Sequence, residues 1–132
     1  MTTVSVGIVL VSHSAELAQG AANLAAQVSG GTVTIVAAGG TDDGDLGTSA
    51  AKVERALHQA DQGAGVVVLP DLGSAVLTVR AVLEDYGSAR GVLLADAPFV
   101  EGAVAATVIA AAGGDLKAVA AAAEEARHAR KL

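Results

Sequence analysis

The sequence predicts a three-layer, doubly wound α/β fold in which helices cover both faces of a mainly parallel β-sheet. Four short runs rich in Val, Ile and Leu alternate with longer segments in which apolar residues recur every three to four positions. Runs that are apolar at nearly every position are typical of strands buried on both faces, as parallel strands are. Glycine-rich turns separate the runs from the helical segments. The predicted element order is β-α-β-α-β-α-β-α-α.

Residues 1–47 supply two strands and one helix. Residues 4–11 are almost continuously apolar and β-branched, which predicts the first strand. A helix is expected over residues 15–28 and a second strand over residues 32–37, with a pair of glycines between them. Residues 39–47 contain four glycines and three aspartates, so they are expected to form a loop. The stripe of the helix expected to face the sheet is Leu17, Ala21, Leu24 and Val28.

The chain from residue 48 onward alternates in the same way and ends in two helices. Glycines precede the third and fourth strands and separate the last two helices, and Asp115 is the expected N-cap of the final helix. The predicted bounds are 51–62, 74–85 and 100–112 for helices, and 66–69 and 91–95 for strands. The side chains expected to face inward are Val53, Ala56, Leu57 and Ala60 on one helix, and Val76, Val79, Val82 and Leu83 on the next.

Composition limits the classes of function. The 132 residues are the size of one domain, so one site is expected in a single domain over residues 1–132. The absence of cysteine excludes disulfide scaffolds, zinc fingers and thiol nucleophiles. A net charge of −6, with one Tyr, one Phe and no Trp, argues against nucleic acid or an anionic membrane as the main partner. No stretch is apolar enough to span a membrane and residues 1–3 lack the positive region of a secretory signal, so a cytoplasmic protein is expected.

The carboxyl ends of the first and third strands carry the residues that point to chemistry. Right-handed crossovers predict strand order 2-1-3-4, which makes these two strands neighbours where the order reverses. The first strand ends in Ser12, His13 and Ser14, and Asp71 follows the third. We therefore expect His13 and Asp71 to meet. A carboxylate beside an imidazole fixes its tautomer and prepares the other nitrogen as a nucleophile or base.

Groups that could bind an anion surround this histidine in the predicted fold. Hydroxyl groups come from Ser12, Ser14 and Ser74, and helices begin at Ser14, at Gly73-Ser74 and at Gly47-Thr48-Ser49. Free N–H groups at helix starts bind anions well, and phosphate above all, so a histidine among them suits a phosphoryl acceptor. The alternative, which spacing alone weights equally, is that His13 caps a helix and Asp71 turns the chain.

Other candidate groups carry less weight. His58 lies beside the apolar stripe of its helix and His128 in a basic C-terminal turn, so both are expected at the surface. Asp42, Asp43 and Asp45 lack the glutamate and the spacing of a calcium loop, and no pair of histidines has metal-ligand spacing, so no metal site is expected. These aspartates are expected to be solvated or to face a partner. No glycine loop contains a lysine, which gives direct nucleotide binding little support.

Four segments, taken in order, resemble one known family. Residues 7–14 (GIVLVSHS) resemble the opening of the mannose-class IIA domains of the sugar phosphotransferase system. Residues 47–53 (GTSAAKV), 71–75 (DLGSA) and 97–106 (APFVEGAVAA) resemble, more narrowly, the phosphoryl-donor subunits of phosphoenolpyruvate-dependent dihydroxyacetone kinases. The resemblance covers essentially the whole chain.

The resemblance implies a phosphohistidine carrier. His13 would take a phosphoryl group from the phosphocarrier protein HPr and pass it to ADP bound in the nucleotide-binding subunit of the kinase. Asp71 matches the aspartate beside the active histidine of the family, and loops with Gly47-Thr48 and Gly73-Ser74 surround it. Family members are usually dimeric, so a homodimer is expected, and no metal or cofactor is implied in this subunit. Some relatives carry HPr-like and enzyme-I-like domains after this one, which a chain ending at Leu132 is expected to obtain from separate proteins.

Three rival interpretations make different demands on the sequence. The nearest is a sugar-specific mannose-class IIA protein that passes phosphate to a IIB domain. A non-enzymatic ligand or flavin module on a flavodoxin-like sheet would need aromatic side chains around the ring, and the sequence offers Tyr86 and Phe99. A receiver domain phosphorylated on Asp71 would need an acidic pair after the first strand and a late lysine, but no lysine occurs between Lys52 and Lys117.

Overall fold

The computed structural model of the chain describes residues 4–86 and 91–132, and over these ranges it confirms the predicted order of strands and helices. The strands are β1 (Gly7–Ser12), β2 (Ile35–Gly39), β3 (Val66–Pro70) and β4 (Val92–Leu94). The helices are α1 (Ala15–Ser29), α2 (Ala50–Ala60), α3 (Gly73–Tyr86), α4 (Phe99–Ala111) and α5 (Leu116–Glu125), and a 3₁₀ turn, Ala126–His128, follows α5. None of the helices in these ranges is long and apolar enough to cross a lipid bilayer.

The four strands form one parallel sheet in the order β2-β1-β3-β4, as predicted. β1 and β3 are therefore neighbours at the point where the strand order reverses. In the ladders, Ser12 lies opposite Gly39 and Val11 lies opposite Pro70. The strands thus end at nearly the same level, and the residues that follow β1 and β3 are side by side at the carboxyl edge of the sheet.

Helices cover both faces of the sheet because side chains along each strand alternate between two hydrophobic cores. Ile8 and Leu10 of β1 pack with α1, α4 and α5 on one face, while Val9 and Val11 pack with α2 and α3 on the other. All four side chains are fully buried. Burial on both faces is the physical reason for the near-continuous apolar run in this strand.

Helix α1 packs through a different face from the one predicted. The predicted inward stripe is wrong at three of its four positions, because Leu17, Leu24 and Val28 are 45–54% exposed. The side chains that α1 buries are small: Ala18, Ala21, Ala22 and Ala25. Their spacing is that of a buried helix face, and alanine lets the helix axis approach the sheet closely. The predicted helical spacing of buried positions is therefore right, but the face of α1 predicted to be buried is wrong.

The predicted inward faces of α2 and α3 agree more closely with the structure. α2 buries all four predicted residues, Val53, Ala56, Leu57 and Ala60. α3 buries Val79 and Val82 as predicted, leaves Val76 and Leu83 half-buried, and completes its inner face with Ala75 and Tyr86. On this face of the sheet, which is rich in valine, the larger apolar side chains of α2 and α3 are the ones that are buried, so hydrophobicity predicts the inner face correctly.

Several predicted element bounds differ from those observed. β1 begins at Gly7 and β2 at Ile35, each three residues later than predicted, because the ladder opens where the Ile8 N–H donates to the Thr34 carbonyl at 3.0 Å. β2 also continues to Gly39, inside the predicted loop. α2 ends at Ala60, two residues early, because Asp61 leaves the helical conformation.

The helix starts near the carboxyl edge are fixed by local contacts. Ser14 is the N-cap of α1 and accepts a hydrogen bond from the Leu17 N–H at 3.2 Å, and Ser49 caps α2 in the same way. A Cβ atom on Gly39 would lie 2.5 Å from the carbonyl oxygen of Ser14. Only glycine therefore lets the end of β2 lie this close to the start of α1. As predicted, Asp115 caps the final helix.

Candidate active site

His13 and Asp71 lie in contact at the carboxyl edge of the sheet, one residue beyond β1 and β3. The ring nitrogen Nδ1 of His13 is 2.9 Å from Oδ1 of Asp71. The imidazole is 26% exposed and the carboxylate 8%, so the carboxylate lies beneath the ring, which remains open to solvent. The strand order thus brings together two residues 58 positions apart in the sequence.

The carboxylate of Asp71 accepts four hydrogen bonds, two at each oxygen. Oδ1 accepts from the His13 ring and, at 2.7 Å, from the Leu72 N–H. Oδ2 accepts from the His13 backbone N–H at 3.0 Å and from the Ser12 hydroxyl at 2.9 Å. Burial raises the pKa of this carboxyl, but the four hydrogen bonds together outweigh burial and hold the pKa of Asp71 below its ordinary value. Asp71 is therefore ionised at neutral pH.

An ionised Asp71 decides which nitrogen of His13 can react. A carboxylate only accepts hydrogen bonds, so the proton of the neutral imidazole lies on Nδ1 and Nε2 carries the free electron pair. Nε2 is 2.6 Å from the hydroxyl oxygen of Ser74, which therefore donates to it. Nε2 is thus the ring nitrogen whose electron pair is available for bonding, and its partner is a hydroxyl group that can rotate away.

Ser12 supports the pair from below. Its side chain is fully buried, and its hydroxyl donates to Asp71 while accepting from the Ser14 N–H at 3.0 Å. The sequence predicts Ser12 as a phosphate-binding group, whereas the structure directs its hydroxyl toward Asp71. Ser12 therefore fixes the position of the Asp71 carboxylate, which in turn fixes the orientation of the His13 ring.

The other predicted phosphate-binding groups surround the ring at different distances from it. Ser74 touches Nε2, and Gly73 precedes it as the first residue of α3. The Gly47 N–H donates to the His13 carbonyl at 2.8 Å, so this loop lies against the backbone of the histidine. The Thr48 hydroxyl shares a hydrogen bond of 2.6 Å with the Thr78 hydroxyl, and Ser14 caps α1. These contacts tie α1, α2 and α3 together around one imidazole.

Three contributions to the site are missing from the sequence prediction. The Leu72 N–H donates a hydrogen bond to Asp71, and no side chain in the sequence indicates such a backbone interaction. The Lys52 ammonium group donates to the Gly39 carbonyl at 2.9 Å and ties α2 to the end of β2. Arg80 lines a hollow of about 330 Å³ that also includes Asp71 and brings a positive charge to this side of the site. Arg80 lies seven residues after Gly73 on α3, and that helical spacing could have placed it on this face.

The remaining histidines lie apart from the site, as expected. His58 and His128 are both exposed. The His58 ring lies edge-on to Tyr86, with ring centroids 5.1 Å apart, and Tyr86 belongs to the core beneath α2 and α3. Asp42, Asp43 and Asp45 are exposed, as expected for solvated or partner-facing side chains.

Comparison with known proteins defines the class to which this fold and site belong. The EIIA-man family, described as the PTS system fructose IIA component, matches residues 7–120. The chain belongs to this family. Residues 7–120 include both His13 and Asp71, so the site described above lies inside the matched region.

Within that family, the resemblance to the donor subunits of dihydroxyacetone kinases is confirmed. The chain is 43% identical over 119 residues to the PEP-dependent dihydroxyacetone kinase phosphoryl donor subunit DhaM of Pantoea ananatis, a match that covers 86% of this chain and 25% of that protein. It is 36% identical over 105 residues to DhaM of kinase 2 of Listeria innocua, covering 78% of this chain and 84% of that one. The chain thus spans about a quarter of the length of some DhaM proteins and most of the length of others.

A solved structure supports the fold. The crystal structure of the unknown function protein EF1359 superimposes with a TM-score of 0.81 at 34% identity, over 92% of this chain and 94% of that one. The strand order and the helical layers are therefore those of a fold already seen by crystallography.

Proposed function

We propose that the chain is a phosphohistidine carrier that accepts a phosphoryl group from HPr on Nε2 of His13 and passes it to ADP bound in the nucleotide-binding subunit of a dihydroxyacetone kinase. The observation that carries this proposal is the 2.9 Å contact between Asp71 and Nδ1, which leaves Nε2 unprotonated on the exposed side of the ring. The names of the DhaM relatives, as phosphoryl donor subunits, support the same chemistry.

The first transfer is an in-line displacement at phosphorus. The Ser74 hydroxyl turns away, and the electron pair of Nε2 forms a bond to phosphorus as the bond from phosphorus to the donor nitrogen breaks. The donor imidazole leaves with that electron pair as a neutral ring. His13 keeps its proton on Nδ1, so its ring becomes positively charged while the phosphoryl group carries the negative charge.

Asp71 stabilises the charge that develops on the His13 ring. A hydrogen bond from Nδ1–H to an ionised carboxylate strengthens when the ring becomes cationic, and the ring is cationic only once Nε2 has bonded to phosphorus. The carboxylate is already fixed by three further donors, so it needs no reorganisation as the charge appears. The pair therefore favours the phosphorylated product and the transition state that leads to it.

Ser74 and the start of α3 stabilise the phosphoryl group. After rotating away from the electron pair of Nε2, the Ser74 hydroxyl can donate to a phosphoryl oxygen. Gly73 and Ser74 are the first residues of α3, whose first N–H groups have no carbonyl partner within the helix. In the second transfer, an oxygen of the ADP β-phosphate forms a bond to phosphorus as the bond from phosphorus to Nε2 breaks, and the His13 imidazole leaves with that electron pair as a neutral ring that keeps its proton on Nδ1. We further propose that residues 1–132 act as one phosphotransfer domain, as a homodimer in the cytoplasm.

A second candidate function is a sugar-specific IIA component that passes the phosphoryl group to a IIB domain. This candidate is supported by the family match, because the family is described as the PTS system fructose IIA component. Both candidates use His13 in the same way, and they differ only in the acceptor.

The experiment that separates the two candidates offers the phosphorylated chain two acceptors. The chain is phosphorylated with phosphoenolpyruvate, enzyme I and HPr, isolated, and mixed either with the ADP-loaded kinase subunits and dihydroxyacetone or with a mannose-class IIB domain. Formation of dihydroxyacetone phosphate in the first mixture alone is the expected result. Transfer to the IIB domain alone would overturn the proposed acceptor.

A further inference from the structure

The sheet has an open edge along β2, away from the histidine–carboxylate pair. The strand order β2-β1-β3-β4 gives β2 a neighbour on one side, which is β1. At the two ends of this ladder, the Ile8 N–H donates to the Thr34 carbonyl at 3.0 Å and the Gly40 N–H donates to the Ser12 carbonyl at 3.1 Å. Backbone groups point alternately to the two sides of a strand, so the even-numbered residues of this segment bond β1.

The odd-numbered residues of β2 face the open edge. Ile35, Ala37 and Gly39 direct their N–H and C=O groups away from β1, as residues of an edge strand do. The Gly39 carbonyl accepts from the Lys52 ammonium group at 2.9 Å. Outside the sheet, no hydrogen bond within the described part of the chain reaches the backbone of Ile35 or Ala37. These two residues therefore present two N–H and two C=O groups to a further strand.

A positively charged hollow lies alongside this edge. It has a volume of about 230 Å³, and its lining comes from β2 and α2: Val36, Ala37, Lys52, Arg55, Ala56 and Gln59. Among the described residues no carboxylate lines it, and neither of its cations forms an ion pair, although the chain carries a net charge of −6. Pockets for drug-sized ligands measure about 300–1,000 Å³, so this smaller hollow suits a side chain.

We propose that the β2 edge binds an extended acidic segment of a partner protein, which adds to the sheet as a further strand and places an acidic side chain in the hollow. Strand addition obtains affinity from main-chain hydrogen bonds and specificity from pockets for alternate side chains. Ile35 and Ala37 supply the main-chain groups, and Lys52 and Arg55 select a carboxylate. The inference goes beyond the proposed function and does not depend on His13.

The same charges disfavour a second copy of the chain as the occupant. Two β2 edges that pair antiparallel about a two-fold axis perpendicular to the sheet bring both hollows to the same face. Lys52 and Arg55 of one protomer would then lie near those of its partner, and like charges across paired strands are destabilising. Charged side chains, lysine above all, protect sheet edges from self-association in this way. An acidic strand meets attraction at the same position.

The test supplies the additional strand as a short peptide. The acidic probe is blocked at both ends and alternates glutamate with valine, and the control probe has lysine in place of glutamate. Binding to the whole chain is followed by ¹⁵N NMR, and the hydrogen exchange of backbone N–H groups is measured with and without peptide. Arg55→Glu reverses one charge of the hollow, while Lys117→Glu makes the same change at an exposed position on α5. Lys52 is left in place because it bonds the Gly39 carbonyl.

The expected result is protection that alternates along β2. The acidic peptide should slow the exchange of the Ile35 and Ala37 N–H groups by about tenfold or more, while the N–H groups of β2 that already bond β1 change little. Arg55→Glu should raise the Kd of the acidic peptide by about tenfold or more, and Lys117→Glu should leave it near the wild-type value. The lysine peptide should protect neither group.

Each contrary outcome overturns a stated part of the proposal. Chemical shift changes without slower exchange at Ile35 and Ala37 would mean charge attraction without strand pairing. Equal binding of the two peptides, or equal weakening by Arg55→Glu and Lys117→Glu, would overturn selection by the hollow. Protection of the same N–H groups at high protein concentration without peptide would assign the edge to a second copy. Failure of the acidic peptide to bind would overturn the proposal outright, and none of these measurements involves phosphoryl transfer.

Discussion

Replacing Asp71 with asparagine tests the histidine–carboxylate pair, because the change keeps the size of the side chain and removes its charge. The carboxylate accepts four hydrogen bonds, two at each oxygen. An amide has one oxygen, so two of these donors must face its NH₂ group instead. If the oxygen faces the ring, the Ser12 hydroxyl and the His13 N–H face the NH₂ group. If the nitrogen faces the ring, the ring proton moves to Nε2 and the nucleophile is lost.

The expected effects on rate and stability follow from those contacts. A hydrogen bond to a charged group contributes about 1.5–3 kcal/mol, so transfer from phospho-HPr should slow by about 10- to 150-fold. The donors left without an acceptor should lower the free energy of unfolding by about 1–3 kcal/mol, because the side chain is 8% exposed. His13 should still accept phosphate, slowly.

The assay is single-turnover transfer from phospho-HPr at neutral pH, quenched at intervals and separated into phosphorylated and unphosphorylated chain. Asp61→Asn is the matched control: Asp61 accepts from the Gly63 N–H at 3.0 Å beyond α2, and an asparagine oxygen can do the same. Urea unfolding shows whether each variant is folded. A folded Asp71→Asn protein that transfers within about twofold of the wild-type rate would refute the reasoning.

Three further predictions follow from the same contacts. Ser12→Ala removes a buried hydroxyl that donates to Asp71, so it should slow transfer and lower the free energy of unfolding by about 1–3 kcal/mol. Thr107→Val, which removes a buried hydroxyl in α4, should lower stability and leave the transfer rate unchanged. Urea unfolding measures the stability of each variant, and single-turnover transfer measures its rate. Because the pKa of Asp71 lies below its ordinary value of 3.8, its contribution to stability is present above that value and is lost as pH falls through the lower, folded value. The difference in unfolding free energy between wild type and Asp71→Asn should therefore narrow from pH 7 to about pH 3, and an unchanged difference would count against an ionised Asp71. In ¹⁵N NMR spectra of neutral His13, Nδ1 should carry the proton and Nε2 should not; the opposite assignment would remove the proposed nucleophile.

The fold was predictable because strand burial leaves a strong signal. A strand such as Val66–Pro70, covered on both faces, must be apolar at every position, and the alternation of such runs with helical segments defines a parallel sheet. The rule of right-handed crossovers then gives the strand order. The proximity of His13 and Asp71 follows from that order alone, since each residue lies at the end of one of two neighbouring strands.

Other features were beyond the sequence, for physical reasons. Hydrophobicity ranks leucine above alanine, so it marked Leu17 and Leu24 as the inner face of α1, although close packing of helix on sheet selects Ala18 and Ala22. The four-donor environment of Asp71 depends on backbone N–H groups, which every residue carries and no pattern distinguishes. The hydrogen bond between Thr48 and Thr78 joins residues 30 positions apart on two elements with no strand pairing between them.

The central claim is that Nε2 of His13 carries a phosphoryl group. The most direct test is the intact mass of the chain after incubation with phosphoenolpyruvate, enzyme I and HPr, with a folded His13→Ala variant as control, followed by NMR of the product to identify the modified nitrogen. The account predicts one added phosphoryl group that is labile to acid, lies on Nε2, and is absent from the variant. No added mass on the folded wild-type chain, an equal gain on His13→Ala, or a phosphoryl group on Nδ1 would contradict it.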